Sequence, residues 1–191
     1  MNRREALNRV ALLMGGTIVG GTAFLEGCKT SDKKMAIGLP FTKEQIDYLD
    51  EIAETIIPTT NTPGAKAAKV GEFMQTMVTD CYDETDQKIF LAGLSSVDEA
   101  SNKKFSNGFM KLSPDQRKEL LSAIDKEAKE YSKTKKKEDP NHYFSLMKQL
   151  TLLGYFSSEI GATQALRYVA VPGKYEACIP YTKGEKAWAT S

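Results

Sequence analysis

The side chains able to do chemistry are few and scattered. His142 is the one histidine. It stands in Pro140-Asn141-His142-Tyr143 at the start of a helical pattern, where a neutral, partly exposed imidazole is expected, and no second His or Cys lies at ligand spacing. No Cys-x-x-Cys occurs, so neither an iron–sulfur nor a zinc site is expected in this chain, and no Cys-x-x-Cys-His is present to attach a c-type haem. Asp80, Asp83, Glu84 and Asp86 form an acidic cluster, but their spacing does not fit a calcium loop. Helix capping and solvation suit them better. Ser157-Ser158-Glu159 lacks a nucleophile-elbow pattern. The glycines at 15, 16, 20 and 21 lack the strand–helix setting of a dinucleotide fingerprint. The expectation is an interaction protein that is not an enzyme by itself, with no catalytic, cofactor-binding or metal residues.

The elements that could position anything begin behind an export signal. Arg3-Arg4 precede an apolar run, Val10 to Leu25, that is diluted by four glycines and two threonines. The run is too Gly-rich to be a comfortable membrane span and fits a cleaved signal over residues 1–27. The arginine pair resembles a twin-arginine signal, the route for folded proteins; the alternative is an ordinary secretory signal with a basic start. Leu25-Glu26-Gly27-Cys28 resembles a lipoprotein cleavage box, with Cys28 as the lipid-carrying residue and residues 28–40 as tether and linker. Glu26 departs from the small or apolar residue usual there. Removing residues 1–27 takes three of the 26 basic and two of the 25 acidic side chains, which leaves a balanced chain. Balance of this kind gives no electrostatic case for nucleic acid.

Residues 41–191 read as an all-α domain of roughly five amphipathic helices in a small bundle, with an irregular, aromatic- and Pro/Gly-rich C-terminal segment wrapping it. Thr42-Lys43-Glu44-Gln45 is a capping box opening the first, with Ile46, Leu49, Ile52, Ala53, Ile56 and Ile57 as its stripe and Pro58 as its stop. Val70 to Tyr82 carries the cleanest pattern: Val70, Phe73, Met74, Met77, Val78 and Cys81, which predicts a buried Cys81. Asp83 or Thr85 can cap a third helix to about Lys103, with Ile89, Phe90, Leu94, Val97 and Ala100 inward. Ser113-Pro114-Asp115-Gln116 is a second capping box, and the helix it opens ends near the lysines at 133–137. Asp139-Pro140-Asn141 opens the fifth, which is apolar on most sides and therefore either central to the bundle or shared with a partner.

From Gly161 the chain becomes irregular, with Pro172, Gly173, Pro180 and Gly184 set among Tyr168, Tyr175, Tyr181 and Trp188. Pro and Gly at this density exclude a long helix or a central strand. The aromatics argue against a disordered tail. Such a segment either wraps over its own helices or lies on another protein. Cys81 and Cys178, the thiols left besides Cys28, are either a disulfide in an exported protein or two independent thiols.

Three stretches carry a resemblance: Leu49-Asp50-Glu51-Ile52-Ala53-Glu54-Thr55-Ile56-Ile57-Pro58-Thr59-Thr60 with Thr62-Pro63-Gly64-Ala65; Asp80-Cys81-Tyr82; and Gly154-Tyr155-Phe156-Ser157-Ser158-Glu159-Ile160-Gly161, continuing to Tyr168, Pro172-Gly173-Lys174-Tyr175 and Cys178-Ile179-Pro180-Tyr181. Together they resemble the gluconate 2-dehydrogenase subunit 3 family, the small subunit of membrane-associated, FAD-dependent sugar and polyol dehydrogenases. The resemblance implies a non-catalytic subunit that binds a flavoprotein of the glucose–methanol–choline oxidoreductase type, escorts it through the twin-arginine route and helps anchor it. FAD would sit in that partner and none in this chain. A cytochrome c or other acceptor would take the electrons, and the location would be periplasmic, held to the membrane by lipid. On this reading Tyr155, Phe156, Tyr168, Tyr175, Tyr181 and Trp188 are expected at or beside the subunit interface. The competing reading is a stand-alone periplasmic lipoprotein that binds a ligand or partner without a redox role.

Overall fold

The computed structural model describes residues 41–171, 173–174 and 178–189, all within one compact unit, Phe41–Ser191. The signal and tether residues, with Arg3, Arg4 and Cys28, lie outside the described residues, as does Tyr175.

Five α-helices follow one another: α1 Lys43–Ile56, α2 Val70–Asp80, α3 Glu84–Phe105, α4 Pro114–Thr134 and α5 Tyr143–Ser157. A 3-10 turn, Phe109–Lys111, precedes α4, and a π-helical turn, Gly161–Ala165, follows α5. Among the described residues there is no strand, and one isolated parallel bridge joins Arg167 to Trp188. The fold is an all-α bundle.

Local chemistry sets the ends. The Thr42 side chain accepts from Gln45 N while Gln45 reaches back to Thr42 N (2.9 Å), a closed capping box. Ser113 and Gln116 repeat it at α4, with Pro114 in the first helical position where an N–H has no partner to lose. Asp83 caps α3 through Asp86 N (2.8 Å). Gln87, buried, donates its amide to the carbonyls of Val78, Thr79 and Tyr82, which α2 leaves open as it ends. That stop corrects the expectation for Cys81. The helix ends at Asp80, so Cys81 falls outside the apolar register and its side chain is exposed.

The central helix is α5, which packs against each of the other four. Leu49, Ile52, Met74, Val78, Phe90, Val97, Phe144 and Met147 close the core around it. Ser101, not the expected Ala100, faces inward, where its hydroxyl donates to Asn107 O (2.7 Å). Close crossings need small residues. A Cβ on Gly154 would stand 2.5 Å from the Phe73 ring of α2, and one on Gly93 would stand 2.7 Å from Tyr143.

A charge tie joins α1, the loop after it and α4. Glu51 pairs with Lys66 and with Arg117. Arg117 also donates to the carbonyls of Phe109 (3.2 Å) and Met110 (2.8 Å), which fixes the 3-10 turn. One residue pair along, Glu54 accepts from Thr59 N (2.8 Å), Thr59 Oγ1 (2.7 Å) and Lys66 N (2.9 Å). The loop 58–69 is thus strapped to α1 by carboxylates.

Burial alone would push the Glu51 carboxyl up, but the Lys66 ammonium and Arg117 guanidinium outweigh it and hold it below its ordinary 4.5. A depressed carboxyl contributes stability in full above its unfolded value and loses it as pH falls through the folded value. Glu51→Gln should therefore cost about 2 kcal/mol at neutral pH, in the range of a charge-assisted bond. The gap from wild type in thermal melts should narrow as pH falls from about 4.5 through the lowered folded value, and a gap independent of pH would show that packing, not charge, holds this corner. Gly161→Ala tests the turn after α5, where a Cβ would meet the Tyr155 carbonyl oxygen at 1.9 Å. Roughly 1–3 kcal/mol should be lost, a drop of several degrees in melting temperature.

Candidate partner-binding surface

The end of α5 is built to reverse the chain. Tyr155 is 2 % exposed, and its hydroxyl donates to Pro63 O (2.7 Å) in the strapped loop. Its carbonyl accepts from Ser158 Oγ (2.6 Å), and the same Ser158 oxygen accepts from Gly161 N (3.0 Å). Gly161 fits against the Tyr155 carbonyl only because it has no Cβ. The stretch Gly154 to Gly161 is therefore one device. Gly154 admits Phe73, Tyr155 anchors the helix end, and Ser158 with Gly161 turns the chain into the π-helical turn.

Beyond that turn lies a loop with a tied neck. Arg167 N donates to Ala187 O (2.8 Å), and Ala189 N donates to Arg167 O (2.9 Å). The Arg167 guanidinium lies 3.8 Å from the centre of the Trp188 ring and pairs with Glu185. Lys186 donates to the carbonyl of Gln164. Gly184, at φ 86°, lets residues 182–185 turn, with Glu185 N donating to Thr182 O (3.1 Å), and brings Glu185 round to Arg167.

Inside this neck the chain shields few of its apolar groups. Val171 is 82 % and Tyr181 85 % exposed. Tyr168, Val169, Ile179 and Trp188 are each about half exposed, as are Leu152, Leu153 and Phe156 on α5. Scattered apolar side chains on a surface are ordinary. Several large ones on a single loop with a closed base are not, since long loops without regular structure are most often functional.

The expected interface residues divide. Phe156, Tyr168, Tyr181 and Trp188 reach the surface. Tyr155 does not, because it is a core residue with Phe156 set edge-on against it at 5.2 Å. The alternative of a tail that hides its rings on its own helices fails for Tyr168 and Tyr181. Cys81 and Cys178, the candidate pair, both stand as exposed free thiols. Arg167, Val169 and Val171 were not singled out from sequence. Arg167 matters through residues that follow it by about twenty positions across an irregular segment, and no periodicity reports such a contact.

The rest of the described surface offers less. A cleft of about 570 Å³ between the end of α1 and the start of α4 is lined by Glu51, Glu54, Thr59 and Arg117, whose charges are already engaged in the straps. Among the described residues no group of three His, Cys, Asp or Glu could hold a metal ion. None of the described helices is long and apolar enough to cross a membrane. His142 spends Nδ1 on capping α5, accepting from Phe144 N (3.1 Å), and burial pushes its pKa down.

The family model described as gluconate 2-dehydrogenase subunit 3 matches residues 43–173, from the first residue of α1 into the exposed loop. No curated protein and no solved structure matches the chain.

The thiols give a direct check on this surface. Iodoacetamide added to the reduced, native chain should label both Cys81 and Cys178 without denaturant, as read by peptide mass spectrometry. Protection of either until unfolding would return it to the interior.

Proposed function

Since the chain belongs to the gluconate 2-dehydrogenase subunit 3 family, we propose that it is the non-catalytic small subunit of an exported, FAD-dependent dehydrogenase of the glucose–methanol–choline type, and that it grips the flavoprotein with the necked loop. The observation that carries this reading is the exposure of Val171 and Tyr181 on a loop whose base is closed. An apolar group that is exposed on a loop with a tied base can be buried against a partner at a reduced ordering cost. Aromatic side chains supply large contact area with few rotatable bonds.

The division of labour follows from the chemistry. The acids that form the described polar clusters cap helices and strap loops, and on this reading oxidation of a sugar or polyol C–OH belongs to the partner, which holds the FAD. The chain contributes a rigid body, a docking loop and its N-terminal segment. Arg3-Arg4 would send the folded pair through the twin-arginine route, and a lipid on Cys28 would hold it at the periplasmic face of a membrane. Electrons would pass from the flavin to a cytochrome c or another acceptor.

The test is co-expression of the chain with its flavoprotein, followed by affinity purification with the flavin absorbance as readout. Val171→Asp combined with Tyr181→Ala should weaken the complex by roughly 30-fold or more, the effect of losing a central apolar anchor worth about 2 kcal/mol. The helical circular-dichroism signal should stay unchanged. A colourless, solitary protein recovered from both wild type and variant would favour the stand-alone lipoprotein.

A further inference from the structure

The neck has a role separate from the side chains that the loop exposes. We infer that Arg167 is a positioning residue that holds together the two ends of the segment carrying Tyr168, Val169, Val171, Ile179 and Tyr181 before the partner arrives; this rests on the reading that this segment is the docking element.

Arg167 is joined to the far side of the neck in three ways at once. Its backbone brackets the facing strand of chain, through Ala187 O and Ala189 N. Its guanidinium plane lies on the Trp188 ring. Its Nη1 pairs with Glu185. A guanidinium can do the last two together, because the flat face stacks while an edge N–H points at a carboxylate; a lysine ammonium has no face and edge to divide. The side chains of Arg167 and Glu185 are 31 % and 34 % exposed, so the pair is partly shielded from water and salt. The near side of the neck is itself anchored, since the π-helical turn leads back to Tyr155. The far side has the Gly184 turn and the Lys186 contact to Gln164 O. The two ends of the loop are thus fixed to the body through Arg167.

Closing a free segment of this length carries an entropy cost that grows with the logarithm of its length. A loop already closed does not incur it on binding, which is the gain from preorganisation. Opening the neck should therefore weaken binding without removing one contact atom.

Three variants separate the possibilities: Arg167→Ala, Arg167→Lys and Tyr181→Ala. In the free chain, chymotrypsin cleavage within the loop should be about tenfold faster for Arg167→Ala than for wild type, and intermediate for Arg167→Lys, with the melting temperature of the helical body unchanged. In calorimetric titration against the purified flavoprotein, Arg167→Ala should weaken binding by about tenfold, with the loss in entropy rather than heat. Unchanged cleavage would overturn the inference, as would faster cleavage with unaltered affinity. Tyr181→Ala reports on the docking reading itself. If it binds as wild type does, the loop is not the docking element. If it weakens binding while Arg167→Ala leaves it intact, docking stands and the neck is not its positioning device.

Discussion

The hydrogen bond from the Tyr155 hydroxyl to the Pro63 carbonyl is the constraint on which the remaining structure leans. It joins the end of the central helix to the loop after the first helix. Both partners are fixed from behind. Pro63 lies in a loop held to α1 by Glu54, and Glu51 ties the same corner to α4 through Arg117. Tyr155 is buried, and its own carbonyl is where the Ser158–Gly161 reversal begins. A rigid corner therefore precedes the exposed loop, and the direction in which the loop leaves the bundle follows from that corner. The stretches that carry the family resemblance in α1, the Pro63 loop and Gly154 to Gly161 meet here. Their shared task is geometric, not chemical.

This arrangement accounts for a molecule rich in polar networks and poor in reactive groups. Glu51, Glu54, Asp50, Asp83 and Asp98 each sit where a backbone N–H group or a cation needs a partner. The lone histidine caps a helix. Most of the exposed large apolar side chains lie on the loop and on late α5.

Much of the bundle was legible in the chain because it is written in local terms. Thr42 with Gln45 and Ser113 with Gln116 announce helix starts that the structure keeps to the residue. The apolar face of α1 likewise puts Leu49, Ile52 and Ala53 inside. Cys81 was misplaced because the apolar period was carried past Asp80, where α2 ends and Gln87 takes up the carbonyls of Val78 and Thr79. Tyr155 and Phe156 are adjacent aromatics, and sequence cannot say which points inward; the Pro63 carbonyl decides it from 92 positions away. Arg167 was silent for the same reason, since its partners lie beyond an irregular segment with no period to follow. The loop's aromatic and proline content was visible, and its function as a closed unit was not.

The central place of α5 also governs folding order. The four earlier helices each rest on it, yet it comes last of the five in the chain. Until it docks, the apolar faces of α1 to α4 have only one another, and helices of this length are marginal without tertiary support. Completing the core around α5 therefore requires contacts of long sequence separation, which slow folding relative to a bundle made only of neighbouring hairpins. The loop neck depends in turn on the reversal that α5 anchors. A chain whose body has not yet closed therefore has no tied loop base, and the exposed groups beyond it take their place only once the bundle is complete.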